Sequence, residues 1–168
     1  QPDFQGRERN VEWTEEGEKV MSCIRKAEPE DLPEVVRLAA ELWPQHTLEE
    51  LEEELEPYTD RRDAAVFLAY QEGRKPCGFA QCGLRRDYVE GTETSPVGYL
   101  EGIYVRPLCR GQGIARLLVE TCQQWAIQAG CREFASDCEL TNEESRKFHL
   151  AVGFEEANRI ICFTKKLR

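Results

Sequence analysis

The chain has 168 residues, of which 40% are hydrophobic, so its size and composition fit one domain with a single core. Its formal net charge of -10 at pH 7 argues against nucleic acid, whose phosphates require a basic surface, and suits a cationic ligand, although solubility alone would also explain it. Eight cysteines without a C-x-x-C pair and only two histidines argue against a zinc site and favour a reduced, cytoplasmic protein.

The start of the chain is polar and charged. We interpret residues 1–20 as an N-terminal extension, either an appended remnant or a misassigned leader, outside a single domain of residues 21–168. No apolar run reaches the roughly 20 residues that span a bilayer, so we expect no membrane segment.

The first half of the domain predicts one strand and two helices. Residues 22–26 look like a strand, and apolar residues at helical spacing predict a helix over 30–42. The T-x-x-E pattern at residues 47–50 is a capping box, which predicts a second helix running through Leu55 and closed by Pro57. The exposed face of that helix would carry Glu49, Glu50, Glu52, Glu53, Glu54 and Glu56.

The second half predicts mostly strands and a crossover. Strands are expected at residues 64–70 and 77–84 with a turn at 72–76 between them, and residues 87–96 predict an exposed, irregular loop. The order strand, helix, strand, helix, strand is then expected at residues 99–105, 114–129, 133–137, 142–152 and 159–166. Antiparallel strands followed by a βαβ crossover are typical of an α+β or mixed three-layer fold.

A glycine-rich segment joins the strand at 99–105 to the helix that follows. It reads Arg110-Gly111-Gln112-Gly113-Ile114-Ala115. Small residues let the backbone approach a ligand closely, and a helix N-terminus supplies unpaired N–H groups with a partial positive charge. Such an end binds anions and suits a pyrophosphate, although two glycines alone would also be explained by a tight strand–helix turn.

The whole segment resembles the acetyl-CoA signature of the GNAT family of N-acetyltransferases, R/Q-x-x-G-x-G/A. Arg110, Gly113 and Ala115 match it, and the strand before it also fits. Over residues 21–168 the resemblance implies the GNAT fold, a central, twisted, mostly antiparallel sheet with a βαβ acetyl-CoA-binding core flanked by helices. It implies acetyl-CoA as cosubstrate and no metal. The residues it assigns to acetyl-CoA are Ile103, Tyr104, Val105, Arg110, Gly111, Gln112, Gly113, Ile114, Ala115 and Asn142.

The second half of the family pattern is also present, with one departure. Asn142 is followed by a helix and then by the stretch Phe148 to Phe154, whose residues 149–154 fit aromatic-x-x-x-G-F with His149 at the aromatic position. Many relatives place a tyrosine at the position of His149, where it can protonate the leaving thiolate. Histidine exchanges protons near neutral pH, so His149 could act as the general acid, bind coenzyme A without proton transfer, or simply pack.

Longer stretches resemble one branch of the family, the aminoglycoside 6'-N-acetyltransferases. Residues 41–47 fit L-W-P-x-H-S/T, and residues 87–92, 95–105 and 133–137 match as well. The resemblance implies acetyl transfer to the 6'-amine of a cationic aminoglycoside antibiotic, by direct attack in a ternary complex, with resistance as the consequence. It also implies a homodimer, often formed through the C-terminal strands.

Two carboxylates stand out as candidates to handle the acceptor amine. Glu101 lies in an apolar strand, where a carboxylate is costly unless it is paired or hydrated. Asp137 ends a strand, a common place for ligands in such sheets. We expect Asp137 to orient the amine or accept its proton and Glu101 to fix the ammonium group or a water. A salt bridge for Glu101 and a helix or turn cap for Asp137 are the structural alternatives.

Three further residues are expected to touch the acceptor. Trp43 and Tyr88 would stack on a sugar or line the groove, whereas core packing is preferred for Tyr104. His46 would contact the acceptor or support the neighbouring helix cap. The alternatives to this function are an acetyltransferase for a polyamine or a protein N-terminus, an acyl-CoA-binding sensor without turnover, and a structural scaffold.

Overall fold

The computed structural model describes residues 22–71 and 75–168 and contains both strands and helices. A short 3-10 turn, Pro29–Asp31, precedes the first α-helix, and a second, Pro107–Cys109, follows the fourth strand. The elements are β1 Ser22–Lys26, α1 Leu32–Leu42, α2 Leu48–Asp60, β2 Ala64–Gln71, β3 Pro76–Arg85, β4 Val97–Val105, α3 Ile114–Gln128, β5 Phe134–Ser136 and α4 Glu143–Ala151.

The strands form one sheet in the order β1-β2-β3-β4-β5. Neighbouring strands run antiparallel from β1 to β4, and β5 runs parallel to β4 because α3 carries the chain back across the sheet. The mostly antiparallel sheet with a βαβ unit that the sequence predicts is therefore confirmed. Most predicted element ends differ from the observed ends by one or two residues, which is the range over which such ends fray.

Helices cover both faces of the sheet. In β2, Phe67 packs on the side of α3, while Val66 and Leu68 pack with α1 and α2. Because β2 and β3 are buried on both faces, their sequences are almost continuously apolar instead of alternating. Each buried side chain of this size stabilises the fold by about 1.5–3 kcal/mol.

A β-bulge in β4 shapes the centre of the sheet. Gln81 pairs with Gly102 and the next residue of β3, Cys82, pairs with Leu100, so Glu101 is the extra residue. Past the bulge β4 also loses its other neighbour, since β5 pairs only with residues 98–100. A bulge bends the strand and increases its twist, which separates β4 from β5. Residues 101–105 therefore have an open edge on the β5 side.

The second helix begins as predicted and ends later. Thr47 and Glu50 form the reciprocal capping box, with hydrogen bonds of 3.1 and 2.9 Å. The prediction that Pro57 closes the helix is wrong, because the helix continues to Asp60 with Pro57 inside it. A proline in the last turn removes only one helical hydrogen bond, and Leu51 and Leu55 are fully buried on the same helix.

The predicted C-terminal strand at residues 159–166 is not observed. Residues 154–168 have no regular secondary structure, because they pair with no other described strand and a strand needs hydrogen bonds to a neighbour. Asn158 still donates a 2.8 Å hydrogen bond to Glu90 in the loop at 87–96. Beyond it the exposed fractions are 65% for Ile160, 81% for Ile161, 89% for Phe163 and 82% for Leu167.

The structure also describes the loop at 87–96 and the cysteines. The loop at 87–96 is irregular and largely exposed, but its Val89 is buried against Val97 and Tyr99. All eight cysteines are free. No helix in the described ranges is long and apolar enough to cross a membrane. The predicted extension at residues 1–20 and most of the turn at 72–76 lie outside the described residues.

Candidate active site

The turn before α3 leads into main-chain N–H groups that have no acceptor among the described residues. Gly111 and Gly113 both have φ +78°, a left-handed conformation that glycine adopts without strain. The helix begins at Ile114 without a side-chain cap. As in any helix, its first N–H groups have no intrahelical acceptor, and in the part of the chain that the structure describes no other group accepts from those of residues 114–116. These amides and the helix dipole form a site for an anion.

Neighbouring side chains hold this turn in place. The Nε of Arg110 donates a 2.8 Å hydrogen bond to the carbonyl of Val105, which ties the turn to the end of β4. The buried Gln71, the last residue of β2, donates to the side chain of Gln112 and accepts from the thiol of Cys109 at 3.6 Å. Sequence reasoning did not single out Gln71, although a polar residue closing a buried strand is a usable signal.

The open edge of β4 leads from this turn to the bulge. It comprises the predicted cofactor residues Ile103, Tyr104 and Val105. Tyr104 packs partly into the core, as preferred from the sequence, and its hydroxyl donates to Glu41 at 2.9 Å. Burial, followed by the hydrogen bond to Glu41, raises the pKa of Tyr104. An extended chain ending in a diphosphate would fit this strand edge and the adjoining amides, as the pantetheine and diphosphate of acetyl-CoA require.

His149 lies where β4 and β5 separate. Its Nδ1 is 2.7 Å from the Ser145 carbonyl, which can only accept, so Nδ1 carries a proton. Its Nε2 is 2.8 Å from the Ser136 hydroxyl, which is also 3.1 Å from the Leu100 carbonyl. A hydroxyl has one proton, so Ser136 can donate to Leu100 and accept from His149 only when the imidazole is doubly protonated.

The other predicted cofactor residue of this region has a local role. Asn142 is the N-cap of α4, and its Oδ1 accepts from the Ser145 amide at 3.1 Å. Its carboxamide nitrogen makes no hydrogen bond to any described residue. The cap leaves that N–H₂ group available to a ligand.

Glu101, at the bulge, makes a salt bridge with Arg85 at the end of β3. The Nη2 of Arg85 lies 2.8 and 2.9 Å from the two carboxylate oxygens, and its Nε lies 3.1 Å from Oε1. The same guanidinium lies over the ring of Tyr99, with its Cζ 3.4 Å from the centroid. The structural alternative expected for Glu101, a salt bridge, is therefore present.

Asp137 approaches the same tyrosine from the end of β5. The buried Tyr99 donates its hydroxyl proton to the carboxylate of Asp137, which is otherwise exposed. Burial, followed by the hydrogen bond to Asp137, raises the pKa of Tyr99. No helix or turn amide donates to Asp137 among the described residues, so the capping alternative is not observed. Tyr99 and Arg85, neither of them singled out from the sequence, bring the two predicted carboxylates to one place.

Trp43 forms a wall beside this cluster. Its indole packs edge-on against Phe79, with ring centroids 6.1 Å apart. It also covers Gly102, where an added Cβ would lie 2.7 Å from the Cη2 atom of Trp43. Gly102 directly follows Glu101. A side chain larger than hydrogen at position 102 would therefore push the indole of Trp43 away from the strand at this point.

The remaining predicted acceptor residues are less closely connected. His46 lies 3.4 Å from Glu50, so it supports the cap of α2. Tyr88 is 78% exposed and donates to Glu90 at 3.3 Å, and its described hydrogen bonds do not involve Glu101 or Asp137. The glutamates of α2 are all exposed. Burial, followed by the charge of Glu101, raises the pKa of Tyr58 in that helix, which places α2 beside the cluster.

Comparison with known proteins identifies the family. Residues 32–154 match the sequence model described as the Acetyltransferase (GNAT) family. The chain is 43% identical over 146 residues to an aminoglycoside N(6')-acetyltransferase type 1 of Stenotrophomonas maltophilia, which covers 86% of this chain and 93% of that protein. A protein of the same name from Klebsiella aerogenes is 38% identical over 147 residues, covering 86% and 96%.

Solved structures agree with this result. The aminoglycoside N-acetyltransferase AAC(6')-Iy in complex with CoA has a TM-score of 0.84 and 36% identity, over 92% of this chain and 100% of that one. AAC(6')-Iy in complex with the bisubstrate analogue CoA-S-monomethyl-acetylneamine has a TM-score of 0.83 and 38% identity, over 87% and 99%. The chain therefore belongs to the GNAT acetyltransferase family, within the group of the aminoglycoside 6'-N-acetyltransferases.

Proposed function

We propose that this protein transfers the acetyl group of acetyl-CoA to the 6'-amine of aminoglycoside antibiotics and thereby confers resistance to them. One observation carries the proposal. The open edge of β4 runs from the turn at residues 110–115 to the bulge at Glu101. Asp137 reaches the same part of β4 through Tyr99, and Trp43 covers the strand beside it. A thioester held along that edge would meet an amine held by those carboxylates.

The main chain would bind the cosubstrate. The amides of residues 114–116 would hold the diphosphate, and the N–H groups along the edge of β4 would hold the pantetheine arm. A strand N–H pointing at the thioester oxygen would stabilise negative charge there in the transition state. Acetyl-CoA itself supplies an acyl group activated for transfer.

The side chains would bind and deprotonate the amine. At neutral pH an aliphatic amine is an ammonium ion, so it must lose a proton before it attacks. The carboxylate of Asp137 can orient the ammonium group and accept that proton, while the carboxylate of Glu101 holds a charge of the substrate. Alignment of both substrates removes the need for a covalent acyl-enzyme.

His149 would handle the departing sulfur. Its Nε2 faces Ser136 at the point where β4 and β5 part, next to the edge that the thioester would follow. A proton passed from Nε2 through the Ser136 hydroxyl would neutralise a thiolate at that point. We therefore expect His149→Gln to lower kcat by a larger factor than it changes the KM for acetyl-CoA. Initial-rate kinetics would measure both constants.

The test of the proposed function uses two antibiotics that differ at one atom. Neomycin B has an amine at the 6' position and paromomycin has a hydroxyl there. We expect thiol release from acetyl-CoA with neomycin B and much less with paromomycin. Equal rates would overturn the 6' assignment, and spermidine or an N-terminal peptide as the better acceptor would favour another amine.

We also propose that the protein is a cytoplasmic homodimer. The apolar side chains of residues 160–167 are exposed in one protomer, and β5 has a second edge with which no described strand pairs. Pairing of the C-terminal segment with a second copy would bury those side chains and satisfy its backbone groups. Eight free thiols favour a reducing compartment.

The dimer is tested with two charged substitutions in the tail. The double variant Ile161→Asp and Phe163→Asp would place charges in the proposed interface. We expect light scattering on the full chain to give a dimer for the wild type and a monomer for this variant. A wild-type monomer at micromolar concentration would overturn the dimer and leave the acetyltransferase proposal standing.

A further inference from the structure

The contacts of Arg85 resemble those that proteins make with a bound cationic ligand. Its guanidinium makes three hydrogen bonds of 2.8–3.1 Å to the carboxylate of Glu101. It also lies 3.4 Å above the ring of Tyr99. A carboxylate together with an aromatic face is the combination that proteins use to hold cationic ligands. Both parts of that combination are already filled by the protein's own side chain.

The place that Arg85 fills lies inside the proposed acceptor site. Tyr99, the ring under the guanidinium, donates its hydroxyl proton to Asp137. Trp43 covers Gly102, the residue after Glu101. A substrate ammonium that approached Glu101 would therefore meet the guanidinium first.

Arg85 is held lightly enough to leave. Its side chain is 43% exposed and that of Glu101 is 25% exposed. Within residues 22–71 and 75–168, all hydrogen bonds of the guanidinium go to Glu101. A half-exposed ion pair contributes little net stability, because water screens it and compensates for its loss. Arg85 stands at the end of β3, next to an exposed loop, and a long side chain there has room to turn into solvent.

We infer that Arg85 is an internal competitor of the cationic acceptor. In the free protein its guanidinium occupies the ammonium position on Glu101 and Tyr99, and the substrate displaces it on binding. This inference rests on the proposed function and deepens it, because it names a residue that lowers the affinity for the acceptor. It predicts that removing the guanidinium strengthens binding.

The chain offers a matched control in the next residue. Arg86 is also exposed and carries the same charge, but its charge acts on Asp63 and Cys131, and it makes no hydrogen bond to Glu101 within the described residues. Arg85→Met and Arg86→Met change the net charge equally. Any difference between them therefore reports the local competition and not the attraction of a polycation to a more acidic protein.

The experiment measures the Kd of neomycin B by calorimetry on the coenzyme A-loaded protein, together with the KM. For Arg85→Met we expect both to fall about three- to fivefold, the size of an exposed ion pair, and for Arg86→Met to change less than about twofold. Arg85→Gln should behave like Arg85→Met. Weaker binding would overturn the inference and assign Arg85 to positioning of Glu101. The same change as in Arg86→Met would also overturn it, because the effect would then come from net charge alone.

A double-mutant cycle shows whether the effect passes through Glu101. If Arg85 competes for that carboxylate, Arg85→Met should no longer strengthen binding in a Glu101→Gln background. A full effect that persists there would contradict the inference. The wild-type rate with neomycin B separates the two hypotheses, since an inactive wild type overturns the proposed function, whereas an active wild type with no gain in Arg85→Met overturns only the role of Arg85.

Discussion

The two halves of the proposed site consist of different parts of the chain, main chain on one side and side chains on the other. The cofactor side consists of main chain, namely the turn at residues 110–115 and the open edge of β4, and its amides are free to bind. The acceptor side consists of side chains, and its two carboxylates already contact Arg85 and Tyr99. In the proposed site the cosubstrate would therefore meet main-chain amides without partners, and the amine would meet carboxylates that already have partners.

This difference has a physical basis. Amides fixed by secondary structure cannot turn toward one another, so they stay available without a stability penalty while they face water. The carboxylates of Glu101 and Asp137 are on side chains that can turn, so each contacts a donor of the protein itself, Arg85 or Tyr99. We therefore expect substitutions on the two sides to separate cleanly in the kinetics.

The largest effect should come from the acceptor side. Asp137→Asn keeps an oxygen that can accept from Tyr99 but removes the charge and the proton-accepting capacity. We expect kcat/KM for neomycin B to fall about 100-fold, the usual size of general-base catalysis. Tyr99→Phe is the control, since it removes the hydrogen bond and keeps the carboxylate. If both variants lose the same activity, Asp137 has only a structural role.

On the cofactor side, a branched residue in the turn at residues 110–115 should weaken the binding of acetyl-CoA. Gly113 has φ +78°, so Gly113→Val would either strain the turn by about 1–3 kcal/mol or move its amides. We expect the Kd for acetyl-CoA to rise at least about tenfold, the equivalent of about 1.4 kcal/mol. Fluorescence or calorimetric titration would measure it.

The control for that substitution lies at the other end of the same helix. Gly130 has φ +92°, and an added Cβ there would meet no atom within 4 Å. Gly130→Val should therefore lower the melting temperature as Gly113→Val does and leave acetyl-CoA binding unchanged. Equal losses of acetyl-CoA affinity in both variants would mean that the turn acts only through stability.

A smaller effect should come from the wall of the acceptor side. Gly102→Ala would displace Trp43, because the new methyl group would lie 2.7 Å from the indole. We expect the KM for neomycin B to rise about fivefold, equivalent to about 1 kcal/mol, with the KM for acetyl-CoA unchanged. Gly83→Ala is a matched control, since its methyl group would find ordinary contacts of 3.6 and 3.9 Å. A rise in the KM for acetyl-CoA alone would contradict the division between the two sides.

The same division decides how far the sequence could predict the site. The proposed cofactor turn is contiguous, so a glycine pattern between a strand and a helix is enough to predict it. The capping box of α2 was equally local. Arg85 and Glu101 are 16 residues apart and Tyr99 and Asp137 are 38 apart, so the register of three strands brings them together. No spacing rule in a single sequence fixes that register or the bulge at Glu101.

The two wrong predictions also concern contacts between segments that are distant in the sequence. Pro57 was expected to end α2, but a buried leucine face outweighs one lost hydrogen bond in the last turn. The segment at 159–166 has the composition of a strand, but no strand lies beside it among the described residues. Local patterns indicate what a segment can form, whereas its neighbours decide what it does form.

The most direct test of the account is a crystal structure with coenzyme A and neomycin B bound. We expect the diphosphate within about 3 Å of the amide nitrogens of residues 113–116, the pantetheine arm along residues 101–105, and the 6'-amine beside Asp137. A diphosphate bound elsewhere, with the turn at residues 110–115 empty, would contradict the account.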